Sequence, residues 1–101
     1  MLARVWKTAV DPQSVVEYER FARDESLPMF ESQPGFRGAL LLRDGDQCVV
    51  VTLWEDQAAI DALRDSATYQ AAVEKIEATG FLRGTPTLEI FQVHGAAKRS
   101  A

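Results

Sequence analysis

The sequence predicts an α+β domain of order βαββαβ, in which a four-stranded antiparallel sheet carries its helices on one face. Three observations carry that reading. Asp44-Gly45-Asp46 separates two apolar runs, as a tight hairpin requires. The run Val49 to Trp54 passes straight into Glu55-Asp56, an acidic start suited to a helix N-terminus. Helical spacing follows both the first and the third strand.

Leu2 to Ala9 alternates, with Leu2, Arg4, Trp6 and Thr8 on one face and Ala3, Val5, Lys7 and Ala9 on the other. Asp11-Pro12 supplies an N-cap and a proline at the first helical position, and the helix is expected to run to about Glu31 with a bend near Pro28. Its apolar stripe holds Val15, Tyr18, Phe21, Ala22, Met29 and Phe30, and Glu19 and Arg23 lie one turn apart as a solvated pair. Gln33-Pro34-Gly35 ends the helix, and Phe36 to Arg43 reads as an almost continuously apolar strand. Across the Asp-Gly turn, Gln47 to Trp54 pairs back antiparallel.

Ala59, Ile60 and Leu63 form a short apolar face before Arg64-Asp65-Ser66 interrupts the helix. A second piece carries Tyr69, Val73 and Ile76 and stops at Gly80. Thr85-Pro86 leads into a last strand, Thr87 to His94, and the tail beyond it lacks large apolar residues. Residues 1–95 thus read as a single ferredoxin-like domain and 96–101 as a flexible tail.

At 101 residues the domain is small enough that a second copy is a natural source of core, and the unbroken apolar runs at 39–42 and 48–51 suit a sheet covered on both faces. A net charge of −4 with no basic stripe argues against nucleic acid. The apolar runs fall far short of the roughly 20 residues of a membrane helix. The lone Cys48, set among valines, suits a reducing, cytoplasmic setting. One histidine and one cysteine give no zinc spacing, so no metal is expected.

Pro34-Gly35-Phe36-Arg37-Gly38, Val51-Thr52-Leu53-Trp54-Glu55, and Ser66 to Tyr69 with Ala71-Ala72 beyond it resemble the antibiotic biosynthesis monooxygenase superfamily of dimeric α/β barrels. The resemblance implies a homodimer whose sheets pack together. Its members include cofactor-independent oxygenases of phenols and quinols and also heme-degrading enzymes. The heme degraders use an Asn on the first strand, a Trp on the helix after the third strand and a later His. The first strand here has no Asn, and Leu63 and Val73 occupy the other two positions. Against the polyketide-anthrone oxygenases, Trp54 matches the strand-end Trp, while Val50 stands at their Asn and Ile60 near their Tyr.

Under this resemblance the candidate catalytic residues are Trp54, Arg4 and His94. Trp54 equally suits packing at the strand-to-helix junction. Arg4 either enters a cavity as an anion anchor or crosses the dimer interface. His94, the one histidine, stands beside the tail and needs an orienting partner to act as a base. Trp6, Phe21, Phe36, Tyr69 and Phe91 are candidates for an aromatic-lined substrate pocket or for plain core. Two functions remain open: a cofactor-independent monooxygenase of a quinol, phenol or anthrone-like molecule, and a dimeric small-molecule-binding or accessory protein of the same fold.

Overall fold

A computed structural model describes residues 1–99. Strand β1 (Leu2–Val10) is central, flanked by β3 (Gln47–Trp54) and β4 (Leu82–Gln92), with β2 (Phe36–Asp44) beyond β3. All neighbours are antiparallel, in the order β2-β3-β1-β4. Helices α1 (Val15–Phe21), α2 (Leu27–Glu31), α3 (Gln57–Asp65) and α4 (Ala67–Ala78) complete the expected α+β, ferredoxin-like order.

The first helical stretch begins as its cap predicts. The Asp11 carboxylate accepts the Gln13 N–H at 3.2 Å, and Pro12 opens a short 3-10 turn that runs into α1. The bend expected near Pro28 is a π-turn over Ala22–Ser26, closed by Leu27 N–H donating to the Ala22 carbonyl. Pro28 explains its place: a proline has no N–H for the carbonyl four residues back, and its ring needs room there. The wider turn also removes the expected Glu19–Arg23 pair. Glu19 instead meets Arg43 on β2 at 3.6 Å.

The β2–β3 turn is tighter than its sequence suggests. Asp44 pairs with Gln47, so Gly45 and Asp46 form the whole loop, and only Gly45 takes a positive φ, +62°. At the other end of β2 the register slips between Phe36 and Gly38. Arg37 is the extra residue. Without it Phe36 would share a face with Leu40 and Leu42; with it, Phe36 packs with Trp54 under the helices at 5.6 Å between ring centroids.

The last strand starts five residues earlier than expected, at Leu82, and ends at Gln92, short of His94. Pro86, read as a boundary, lies inside it. This is tolerated because β4 is an edge strand and because its pairing with β1 shifts between Lys7 and Ala9 opposite Gly84 to Pro86. Gly95 to Arg99 form no regular element, and the remainder of the expected tail lies outside the described residues.

The core lies between sheet and helices. One cluster gathers Phe30, Val50, Trp54, Ala59, Ile60 and Leu63; the other gathers Val10, Tyr18, Ala22, Cys48 and Ile76. The opposite sheet face has no cover in the single chain. Register places Leu40, Leu42, Val49, Val51, Leu53, Ala3, Val5 and Phe91 there, and Leu40, Leu42 and Phe91 are about half exposed or more. No helix among the described residues is long and apolar enough to cross a membrane.

Candidate functional site

A cavity of about 130 Å³ opens between the helix-facing side of β1 and the inner faces of α1, α2 and α4. Alternation along β1 delivers Arg4 and Trp6 to it. The π-turn keeps Phe21, before it, and Met29 and Phe30, after it, on the same wall. Helix α4 contributes Tyr69, Val73 and Glu77, spaced by four residues and so stacked along one face.

Tyr69 is fixed from behind. Ser66 caps α4, its hydroxyl accepting the Tyr69 N–H at 3.3 Å. The buried Gln33 side chain donates to Thr68 Oγ1 at 2.9 Å and to Ser66 Oγ at 3.2 Å, tying the end of α2 to the α3–α4 junction. The Tyr69 hydroxyl then accepts a 2.7 Å hydrogen bond from Arg4 Nη2, and its ring centroid lies 5.4 Å from the guanidinium carbon.

Arg4 is only 6% exposed, and no carboxylate among the described residues lies within ion-pair distance of it. Tyr69 is the one hydrogen-bond partner of its side chain among those residues. Among the described residues no side-chain nitrogen or oxygen is both sealed from solvent and unpaired, so any guanidinium nitrogen without a partner keeps some access to solvent, and Arg4 is part of the cavity lining. A buried cation without a counter-charge is costly, and a planar guanidinium fork is matched to oxyanions.

Tyr18 also lines the cavity. Burial, then neighbouring Cys48, pushes its phenol ionisation well above the tyrosine range, so it stays neutral and does not serve as a base at neutral pH. The Cys48 thiol is raised by burial and then by Glu19, with Arg43 pulling the other way. Both shifts are upward, so the stability they contribute is whole below the unfolded values of 9.0 for Cys48 and 10.0 for Tyr18 and is lost as pH rises beyond them. The urea midpoint should therefore fall from about pH 9 upward, and Tyr18→Phe should make that alkaline limb shallower. An equal slope in both proteins would remove Tyr18 from this account.

Of the residues singled out in the sequence, Arg4, Trp6, Phe21 and Tyr69 meet at this cavity. Trp54, Phe36, Phe91 and His94 are not in its lining. Trp54 is fully buried in the packed cluster, its indole N–H donating to Thr52 Oγ1 at 2.7 Å, with Phe30 of the cavity lining 6.3 Å away in edge contact. Phe36 packs edge-on against Trp54. Phe91 pairs with Ala3 on the uncovered face, because β4 alternates in register with β1. His94 is exposed beyond the end of β4.

Glu77 is the one carboxylate in the lining and was not singled out by sequence. Its four-residue spacing from Val73 and Tyr69 was the available signal. A second hollow, of about 320 Å³, lies against β2 and β3 beside Arg43 and Glu19. Those two charges face each other there, and it holds no buried unpaired group. No three His, Cys, Asp or Glu side chains among the described residues converge as metal ligands.

The fold is shared with a recognised protein class. The model of the antibiotic biosynthesis monooxygenase family matches residues 1–75, and the chain belongs to that family. No curated protein matches it. Among solved structures it is similar to a protein of unknown function from Nitrosomonas europaea, with 20% identity, 99% of this chain and 95% of that chain covered, and a TM-score of 0.78. It is also similar to SnoaB, a cofactor-independent oxygenase from Streptomyces nogalater, with 19% identity, 97% of each chain covered and a TM-score of 0.77. Rv0793 from Mycobacterium tuberculosis gives 15% identity, 96% and 98% coverage and a TM-score of 0.77. At these identities the likeness is one of fold.

Proposed function

We propose that this chain is a homodimeric, cytoplasmic, cofactor-independent monooxygenase of a small phenol or quinol. The observation that carries the reading is the buried, counter-ion-free Arg4 opening on an aromatic cavity in a chain of the monooxygenase family. Loss of a proton gives the substrate an electron-rich anion, which supplies the electrons to O₂. For a simple phenol, a ring carbon forms a C–O bond and loses its hydrogen, the O–O bond breaks, and the second oxygen leaves as water with two hydrogens. The product is a quinone.

In this scheme Arg4 holds the phenolate oxygen, Tyr69 fixes the guanidinium, and Trp6, Phe21 and Phe30 enclose the ring. Glu77, in the cavity lining, is the carboxylate we assign to accept the proton. The uncovered face around Leu40, Leu42 and Val51 supports a second copy packed sheet to sheet, and the free, buried Cys48 suits a reducing compartment.

A second reading, a dimeric binding or accessory protein, is favoured by two valines. Val50 and Val73 line the cavity, at positions where the family resemblance places the anthrone oxygenases' Asn and the heme degraders' His. O₂ uptake by the purified protein across a panel of phenols, quinols and anthrones separates the two, with the dimer checked by light scattering. The oxygenase reading expects turnover above background and a loss of about 100-fold in kcat for Arg4→Gln. Saturable binding without O₂ uptake gives the protein to the second reading.

A further inference from the structure

We infer that the Arg4 cavity is built for one aromatic ring bearing a single oxyanion, a carboxylate or a phenolate, seated on the Arg4 guanidinium. This rests on reading the cavity as the ligand pocket, and it narrows the class of ligand.

Charge is the first argument. A guanidinium presents five N–H donors and stays positive throughout the physiological range. Here one donor reaches the Tyr69 hydroxyl, no carboxylate among the described residues lies within ion-pair distance, and Arg4 is part of the cavity lining. An oxyanion arriving there supplies the missing counter-charge as well as the acceptors. Glu77, the only carboxylate in the lining, is exposed and forms no ion pair with Arg4, so the cavity carries one buried cation and one carboxylate at its edge. That balance suits a monoanion better than a dianion.

Size is the second. The cavity's volume of about 130 Å³ is close to the ~150 Å³ of an engineered apolar cavity that holds one benzene ring. Three fused rings exceed it. Apart from Ser26 the remaining walls are apolar or aromatic, with Trp6, Phe21, Phe30 and Val73 prominent, which suits a ring rather than a sugar or inorganic phosphate.

Calorimetric titration of the full-length protein under anaerobic conditions tests this, with benzoate, ionised 4-nitrophenol, benzamide and 9-anthracenecarboxylate as probes. One of the two single-ring anions should bind about 10-fold or more tightly than neutral benzamide, and 9-anthracenecarboxylate should bind weakly or not at all. Whichever anion wins identifies carboxylate or phenolate as the natural group. Arg4→Gln should abolish the preference while leaving benzamide affinity within a few fold, and Arg4→Lys should recover part of it.

Equal affinity for benzamide and both anions overturns the inference, as does tighter binding of the three-ring acid or no binding of any probe. Should Arg4→Gln fail to fold, the ligand comparison on the unaltered protein still decides. Because no O₂ is present, anion binding without later turnover sinks only the oxygenase reading. Turnover of neutral rings with no anion preference sinks only this one.

Discussion

Replacing Trp54 by alanine should lower the unfolding free energy by about 3–5 kcal/mol, read as a shift of the urea midpoint. The side chain is fully buried, with Phe30 and Phe36 packed edge-on against it at 6.3 and 5.6 Å. Removing it leaves a cavity that the surrounding β3, α2 and α3 cannot close without disturbing the rest of the cluster. Trp54→Phe separates the ring from its polar handle. It keeps an aromatic in place but strands the Thr52 hydroxyl, itself wholly buried, and should cost about 1–3 kcal/mol. Adding Thr52→Val should recover part of that loss. A Trp54→Ala protein with an unchanged midpoint would mean that the junction tolerates a hole there.

Gly35→Ala should be nearly as damaging, although it adds one methyl group. Gly35 has φ +81°, and a Cβ built there falls 2.5 Å from the Ala59 Cβ, an atom fixed to the α3 backbone. The Gly35 carbonyl also accepts the Glu55 N–H at 2.9 Å, so the loop is not free to back away. Left-handed backbone costs a non-glycine residue about 1–2 kcal/mol, and overpacking adds about 1–3 kcal/mol. Gly45→Ala is the control, because its φ is +62° but nothing lies within 4 Å of its added Cβ. That variant should lose only the first part. If the two variants shift the urea midpoint equally, the contact with Ala59 carries no weight, and Ala59→Gly should then fail to rescue Gly35→Ala.

The element order was legible because strong local signals mark it: Asp11-Pro12 at a helix start, Asp-Gly at the hairpin, and Asp56, which does cap α3 through the Ala59 N–H. What escaped depends on register between strands. Arg37 looks like one more residue of β2, and only its mismatch with β3 turns Phe36 toward the helices. Pro86 reads as a boundary because a proline in a strand is tolerated only where one edge is free, and edges are defined by the completed sheet. At the cavity, alternation along β1 placed Arg4 and Trp6 together, but the lack of a counter-ion for Arg4 is a fact about every other carboxylate in the fold. The aromatic residues divided for the same reason. Tyr69 and Phe21 lie on helix faces that the sheet fixes, whereas Phe91 belongs to a strand whose parity is set by its pairing with β1.

The π-turn at Ala22–Ser26 has a consequence for how this chain can change length. Such a turn is a helix holding one residue more than its α register accommodates, so Phe21 and Met29, eight positions apart, meet at the cavity as residues seven apart would in a regular helix. A descendant that lost one residue here and also replaced Pro28 would straighten the helix and keep both walls in phase. The same loss within α4 would swing each later side chain by about 100° and carry Glu77 away from the line of Tyr69 and Val73. Single-residue deletions in this helical layer are therefore expected to collect at the one place where they leave the cavity's walls aligned.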